Sequence, residues 1–161
     1  MKEQYVMNKK WRKRYMGLAV HVGGFSEDTS TKVGCYIANH ETNRPVSFGY
    51  NGLPSGVLDK PSRHERPQKY FYFEHAERNA IYNSDTKLDN MSIFVTHTPC
   101  TDCVRAIIQN RISYLYVLHA NGFESKWAKE RYPLEQLEAI IFMLREAKIS
   151  IYEINLTGAL V

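Results

Sequence analysis

Apolar positions along the chain fall into two alternating rhythms, one of period two and one of period three to four. Trp11, Tyr15, Leu18 and Val22 are spaced by 4, 3 and 4 residues, which predicts a first helix with these side chains as its buried stripe and a basic outer face. Residues 32–39 and 45–50 read as two strands joined through the polar turn 40–44, a hairpin. The stretch 51–70 holds Gly52, Pro54, Gly56, Pro61 and Pro67 and is expected to be a long loop without regular structure. Helical patterning follows over 75–83 and 101–110, with strands at 91–96 and 113–119. Pro133 then opens a helix with Leu134, Leu137, Ile140, Ile141 and Leu144 on one face, and 149–154 closes the chain as a fifth strand. The connections through the two middle helices are long enough for parallel strand pairing. The expected architecture is a three-layer α-β-α fold with a five-stranded mixed sheet and helices on both faces, in one domain spanning 1–161.

Composition narrows the class without changing that architecture. Hydrophobic residues make up 43%, charged residues 24%, and the mean hydropathy is −0.44, the balance of a folded soluble chain rather than a disordered one. No apolar run approaches the roughly 20 residues of a membrane span, and the N-terminus lacks a secretory signal, so a cytoplasmic location is expected. The net charge of +4 is concentrated in residues 1–14, where Lys2, Lys9, Lys10, Arg12, Lys13 and Arg14 face one acid, Glu3. A charge excess confined to one terminal helix is weak support for a nucleic-acid partner and reads instead as a solvated helix face, so neither a nucleic acid nor a membrane is expected as a partner. Of three cysteines, Cys35 lies in a strand and is expected in the core, whereas Cys100 and Cys103 are spaced for a metal or redox pair.

The chemistry concentrates in two short segments, His75-Ala76-Glu77 and Pro99-Cys100-Thr101-Asp102-Cys103, each at the start of a predicted helix. Residues three apart share a helix face, so both sulfurs can reach one ion, and the free N–H groups of a first turn favour thiolates. One imidazole and two sulfurs suit Zn²⁺, and three ligands leave the fourth position for water, as catalytic zinc sites do. Glu77 can share that pocket only if His75 sits at or before the first helical residue. His64 and His97 are read as ordinary packed or solvated histidines. H-x-E followed by P-C-x-x-C is the signature of zinc-dependent nucleobase deaminases.

Over residues 11–154 the chain resembles the deoxycytidylate (dCMP) deaminases of the cytidine deaminase-like superfamily. The resemblance is carried by Val33-Gly34, by Gly49-Tyr50-Asn51-Gly52 with Pro54 and Gly56, by Asn79-Ala80-Ile81 after the zinc histidine, and by Ile107-Ile108-Gln109. It implies zinc on His75, Cys100 and Cys103, with Glu77 shuttling protons while water attacks C4 of cytosine. It further implies that Asn51 helps hold the deoxynucleotide, that Ala76 meets the pyrimidine through its backbone, and that Ser26 lies near the phosphate. It implies a homo-oligomer, a hexamer foremost, regulated by dCTP and dTTP with Mg²⁺ near the loop of Gly49, Tyr50 and Gly52. The chain departs from the family pattern at Thr29, in the aromatic run 70–74, and over 119–123. Alternatives within the same chemistry are dCTP, a modified deoxycytidylate, or a base in a nucleic acid as substrate. A non-enzymatic zinc module is disfavoured by Glu77 and by the count of three ligands.

Overall fold

The computed structural model describes residues 5–161, so Lys2 and Glu3 of the basic segment lie outside the described residues. Five strands, β1 (Gly34–Asn39), β2 (Pro45–Tyr50), β3 (Met91–Val95), β4 (Tyr114–Leu118) and β5 (Ser150–Ile154), form one sheet in the order β2-β1-β3-β4-β5. β1 is antiparallel to both neighbours, while β3, β4 and β5 are parallel. The mixed five-stranded sheet expected from the pattern is therefore present.

Period-two alternation assigns the two faces of the sheet. Cys35, Ile37, Ile93, Val95, Leu115 and Val117 point to one face, where α3 (Ala76–Tyr82), α4 (Thr101–Gln109) and α6 (Leu134–Glu146) pack with Ala80, Val104, Ile107, Ile140 and Leu144. Ala38, Phe94, Tyr116 and Ile154 point to the other, under Tyr15, Met16 and Ala19 of α1 (Lys9–Gly23). Cys35 is a fully buried core residue, as its place in a strand predicts.

Four local expectations are corrected. Leu18 is 39% exposed, and the buried stripe of α1 runs instead through Arg12, Tyr15, Met16, Ala19, Val22 and Gly23. The rotation follows from a close backbone crossing: a Cβ on Gly34 would lie 1.8 Å from the Ala19 carbonyl oxygen and 2.6 Å from the Gly23 nitrogen. Arg12 thus belongs to the interior, donating from Nε to the Gly158 carbonyl at 2.8 Å and from Nη1 to the Met7 carbonyl at 2.9 Å. Leu134, at the start of α6, is 71% exposed. The long loop also contains a 3-10 turn, Pro61–Arg63, and a short helix, α2 (Lys69–Tyr72); proline is compatible with a first helical turn. A further helix, α5 (Lys126–Arg131), stands between β4 and Pro133, where the pattern predicted none.

Candidate active site

The carboxyl ends of β3 and β4, the end of β2 and the start of β1 meet at one edge of the sheet. There His75 is the N-cap of α3 and Cys100 the N-cap of α4, both with extended backbone, so each precedes its helix. This meets the geometric condition for Glu77, which projects from the first turn of α3 and is 4% exposed. His75 Nδ1 lies 3.4 Å from Cys100 Sγ and 3.4 Å from Cys103 Sγ. A tetrahedral zinc with Zn–S near 2.3 Å and Zn–N near 2.05 Å requires a nitrogen–sulfur edge of about 3.5 Å, so the three donors are already spaced for the ion. Among the described residues no fourth side chain joins this group. His64 instead pairs with Asp59, and the His97 ring bonds Thr96 Oγ1.

Electrostatics at the site oppose charge on the carboxyl and favour it on one sulfur. Burial raises the Glu77 carboxyl above its ordinary range, against the pull of His75. The hydrogen bond from Cys103 is the main influence lowering the Cys100 thiol, to about 3; burial opposes it and His75 assists. Contact with Cys100 and burial push Cys103 up, and its Sγ lies 3.5 Å from Glu77 Oε2. Arg78 Nη1 approaches Cys103 Sγ at 3.6 Å, while its Nε donates to Glu74 Oε1 at 2.7 Å. That Oε1 also accepts from the His75 N–H at 2.9 Å, so one carboxylate fixes both His75 and the guanidinium beside Cys103.

Above these groups opens a cavity of about 400 Å³, within the range of small-molecule sites. His75, Ala76, Glu77 and Cys100 lie on its wall. Tyr70, Phe73, Trp127 and Tyr132 supply aromatic surface, and Arg66 and Arg131 supply cations at the exposed rim. Their guanidinium carbons are 5.9 and 5.5 Å from the Tyr70 ring centre. His97 lies edge-on to Trp127 at 4.7 Å, and burial lowers its pKa to about 4, so the ring is neutral. The α5 wall is fixed from β5: Glu153 accepts from the Phe123 N–H at 2.8 Å and holds His119 Nδ1 at 2.7 Å.

Of the other residues singled out in the sequence, Asn51 and Ala76 line the cavity and Ser26 does not. Ser26 Oγ donates to the Asn51 carbonyl at 2.7 Å and accepts from the Asp28 N–H, so it stands behind the wall. Asn51 Oδ1 accepts from the Val33 N–H at 2.8 Å, and Nδ2 donates to the Thr31 carbonyl at 2.9 Å and Asp28 Oδ2 at 3.3 Å. Asp28 is ion-paired with buried Lys69 at 2.8 Å. Burial alone would raise the Asp28 carboxyl, but Lys69 and the N–H groups of Ser30 and Thr31 outweigh it and hold it at about 2. Gly49 is where α3 crosses β2, since a Cβ there would lie 2.4 Å from the Ala76 carbonyl oxygen. Tyr50 is exposed and its carbonyl accepts from Asn79 Nδ2, whereas Gly52 pairs its backbone with Glu74. Sequence reasoning missed Asp28, Lys69, Arg78, Trp127, Arg131 and Tyr132.

Three donors spaced for one metal ion, with a buried carboxyl beside them and a cavity of small-molecule size above, match the arrangement of a zinc-dependent deaminase. Known proteins agree. The chain belongs to the family described as "Cytidine and deoxycytidylate deaminase zinc-binding region", whose model matches residues 9–119. It is 43% identical over 125 residues to an uncharacterized deaminase in the luxG 3′ region of Aliivibrio fischeri, covering 77% of this chain and 84% of that protein. It is 36% identical over 107 residues to the deoxycytidylate deaminase of Homo sapiens, covering 62% of this chain and 60% of the human one. Among solved structures, the dCMP deaminase of cyanophage S-TIM5 in complex with dCMP and dUMP superposes with a TM-score of 0.70 at 22% identity, over 92% of this chain and all of that one. Acinetobacter baumannii RibD superposes with a TM-score of 0.61 at 16% identity, covering 91% of this chain and 35% of RibD. These two structural likenesses establish the cytidine deaminase-like fold. Among the described residues no helix is long and apolar enough to cross a membrane.

Proposed function

We propose that the protein catalyses the hydrolytic deamination of dCMP to dUMP and ammonia. The observation that carries this reading is the buried Glu77 beside the His75, Cys100 and Cys103 cluster, at the inner end of a cavity whose rim bears Arg66 and Arg131. His75, Cys100 and Cys103 would hold zinc, which when bound would supply the Lewis acidity that makes water a nucleophile at neutral pH. Glu77 takes one proton of the attacking water and delivers it to N3 of cytosine as the C4–O bond forms; it then takes the proton of the new C4 hydroxyl and passes it to the C4 amine, so that the C4–N bond breaks, the C4 carbonyl forms and ammonia leaves. Burial disfavours the charged form of Glu77 and so favours uptake of the proton from the attacking water.

The remaining residues sort the substrate. The Ala76 N–H, which opens α3 and has no earlier helical turn to bond, is available to the pyrimidine. Asn51 fixes the 28–33 segment beside the sugar, and Arg66 and Arg131 are the exposed cations placed for the 5′-phosphate. Glu130 on the same cavity disfavours the longer, more charged triphosphate. The human relative named for dCMP and the cyanophage structure named with dCMP and dUMP support the choice of substrate. A homo-oligomer, hexameric by the family resemblance, a cytoplasmic location, and control by dCTP and dTTP with Mg²⁺ belong to the same reading.

Ammonia release from cytosine, deoxycytidine, dCMP, dCTP and a cytosine-containing oligonucleotide tests it, each with and without effector nucleotide. The expected result is highest kcat/KM on dCMP. Arg131→Gln is expected to raise KM for dCMP about 10- to 100-fold, the value of a charge-assisted hydrogen bond, while leaving deoxycytidine turnover unchanged. Preference for deoxycytidine, dCTP or the oligonucleotide overturns the proposal.

A further inference from the structure

Helix α1 begins against its own electrostatics. Lys9 and Lys10 occupy a first turn that contains no acid, although the positive end of the helix dipole favours carboxylates there. Lys13 and Arg14 follow four residues on, so Lys9 with Lys13 and Lys10 with Arg14 are like-charged pairs on adjacent turns, which destabilise a helix. Among the described residues none of the four is ion-paired. All four line an open groove of about 1120 Å³ to which, among the described residues, no carboxylate contributes.

The groove is aromatic as well as basic. Trp11 stacks on Tyr15 with centroids 5.8 Å apart at 23°, Tyr15 meets Tyr36 at 5.5 Å, and the Arg14 guanidinium lies 4.6 Å over Trp11. Trp11 is only partly buried, so ring surface remains open beside the cations. The groove shares no lining residue with the deaminase cavity, and α1 covers the opposite face of the sheet from α3 and α4.

We propose that this groove binds single-stranded nucleic acid, with backbone phosphates on Lys9, Lys10, Lys13 and Arg14 and a base against Trp11. Cations placed where they weaken their own helix are accounted for by a polyanion that relieves the repulsion. Partly open rings among those cations select a strand whose bases are unpaired. The four charged residues span about 7.5 Å of helix axis, enough for adjacent phosphates of one strand.

The test measures fluorescence anisotropy of a labelled 20-mer of thymidylate with the full-length zinc-loaded protein, at 50 and 200 mM salt. Thymine has no exocyclic amine, so the probe is no deaminase substrate, and this proposal fails or stands separately from dCMP turnover. Binding is expected to weaken with salt with a logarithmic slope of about −2 to −3. Lys9→Glu with Lys10→Glu is expected to weaken binding at least tenfold and leave dCMP deamination unchanged. The same double variant converts both repulsive pairs to attractive ones and is expected to raise Tm by about 2–4 °C. Trp11→Leu is expected to weaken binding about fivefold or more without changing the salt slope. The proposal is overturned by absence of binding at 50 mM salt, by equal affinity for heparin or duplex DNA, or by tighter binding to phosphatidylserine vesicles. A fall in Tm of the Lys9→Glu, Lys10→Glu variant also overturns it.

Discussion

Glu77 and Arg78 are neighbours in sequence with separate tasks, and both depend on where α3 begins. Because His75 caps the helix with extended backbone, residue 77 can turn toward the ligand cluster instead of away from it. Glu77→Gln keeps the shape and removes the titrating proton; kcat is expected to fall about 10³-fold, with zinc content by elemental analysis unchanged. Loss of zinc in that variant would make Glu77 structural instead. Arg78→Leu removes the guanidinium 3.6 Å from Cys103, and zinc affinity by chelator competition is expected to fall about 10- to 100-fold. The proximity of His75, Glu77, Cys100 and Cys103 was legible because their spacing within each segment encodes it directly. Arg78 was not, since its partner sulfur arrives from α4, and a basic residue inside a short helix ordinarily signifies a solvated face. Asp28 and Lys69 were hidden for the same reason: their pairing joins residues 41 apart in the chain.

At the level of elements, strand alternation wrote both faces of the sheet into the sequence, and the order of helices and strands followed. The rotation of α1 was not written there. It is set by contact of Gly23 and Gly34, which brings helix backbone onto strand backbone and favours Met16 and Ala19 over Leu18 as inward positions. Gly34→Ala is therefore expected to cost about 3 kcal/mol or more by urea denaturation, because the added methyl meets the Ala19 carbonyl instead of a movable side chain. A change under about 1 kcal/mol would show that α1 can lift without penalty. Helix α5 escaped notice because six residues with one buried position carry no apolar stripe. Its one local sign is Ser125, whose side chain accepts from the Ala128 N–H as an N-cap.

Over the whole molecule, the buried Asp28–Lys69 pair joins the segment before β1 to α2 and thereby shapes one side of the cavity. A carboxyl held at about 2, below its unfolded value near 3.9, contributes stability above that unfolded value. That contribution, about 2 kcal/mol, is expected to disappear as pH falls from about 4 to 2. Asp28→Asn should lack this part of the acid limb in denaturation curves recorded from pH 7 to 2. It should also be less stable at neutral pH, because Lys69 is left buried without its partner. An acid limb identical to that of the unmodified protein would assign the transition to other carboxylates. The region matched by the family ends at residue 119, whereas Trp127, Arg131 and Tyr132 of the cavity wall come after it. One wall of the cavity is thus encoded after the stretch that carries His75, Glu77, Cys100 and Cys103, while Asn51, Arg66 and Ala76 on the other walls lie within it. Under the proposed reading, transplanting the 122–133 stretch from a relative should redirect which phosphorylation state of the nucleotide is accepted while sparing turnover itself, a route by which such enzymes can diversify by exchanging one short piece.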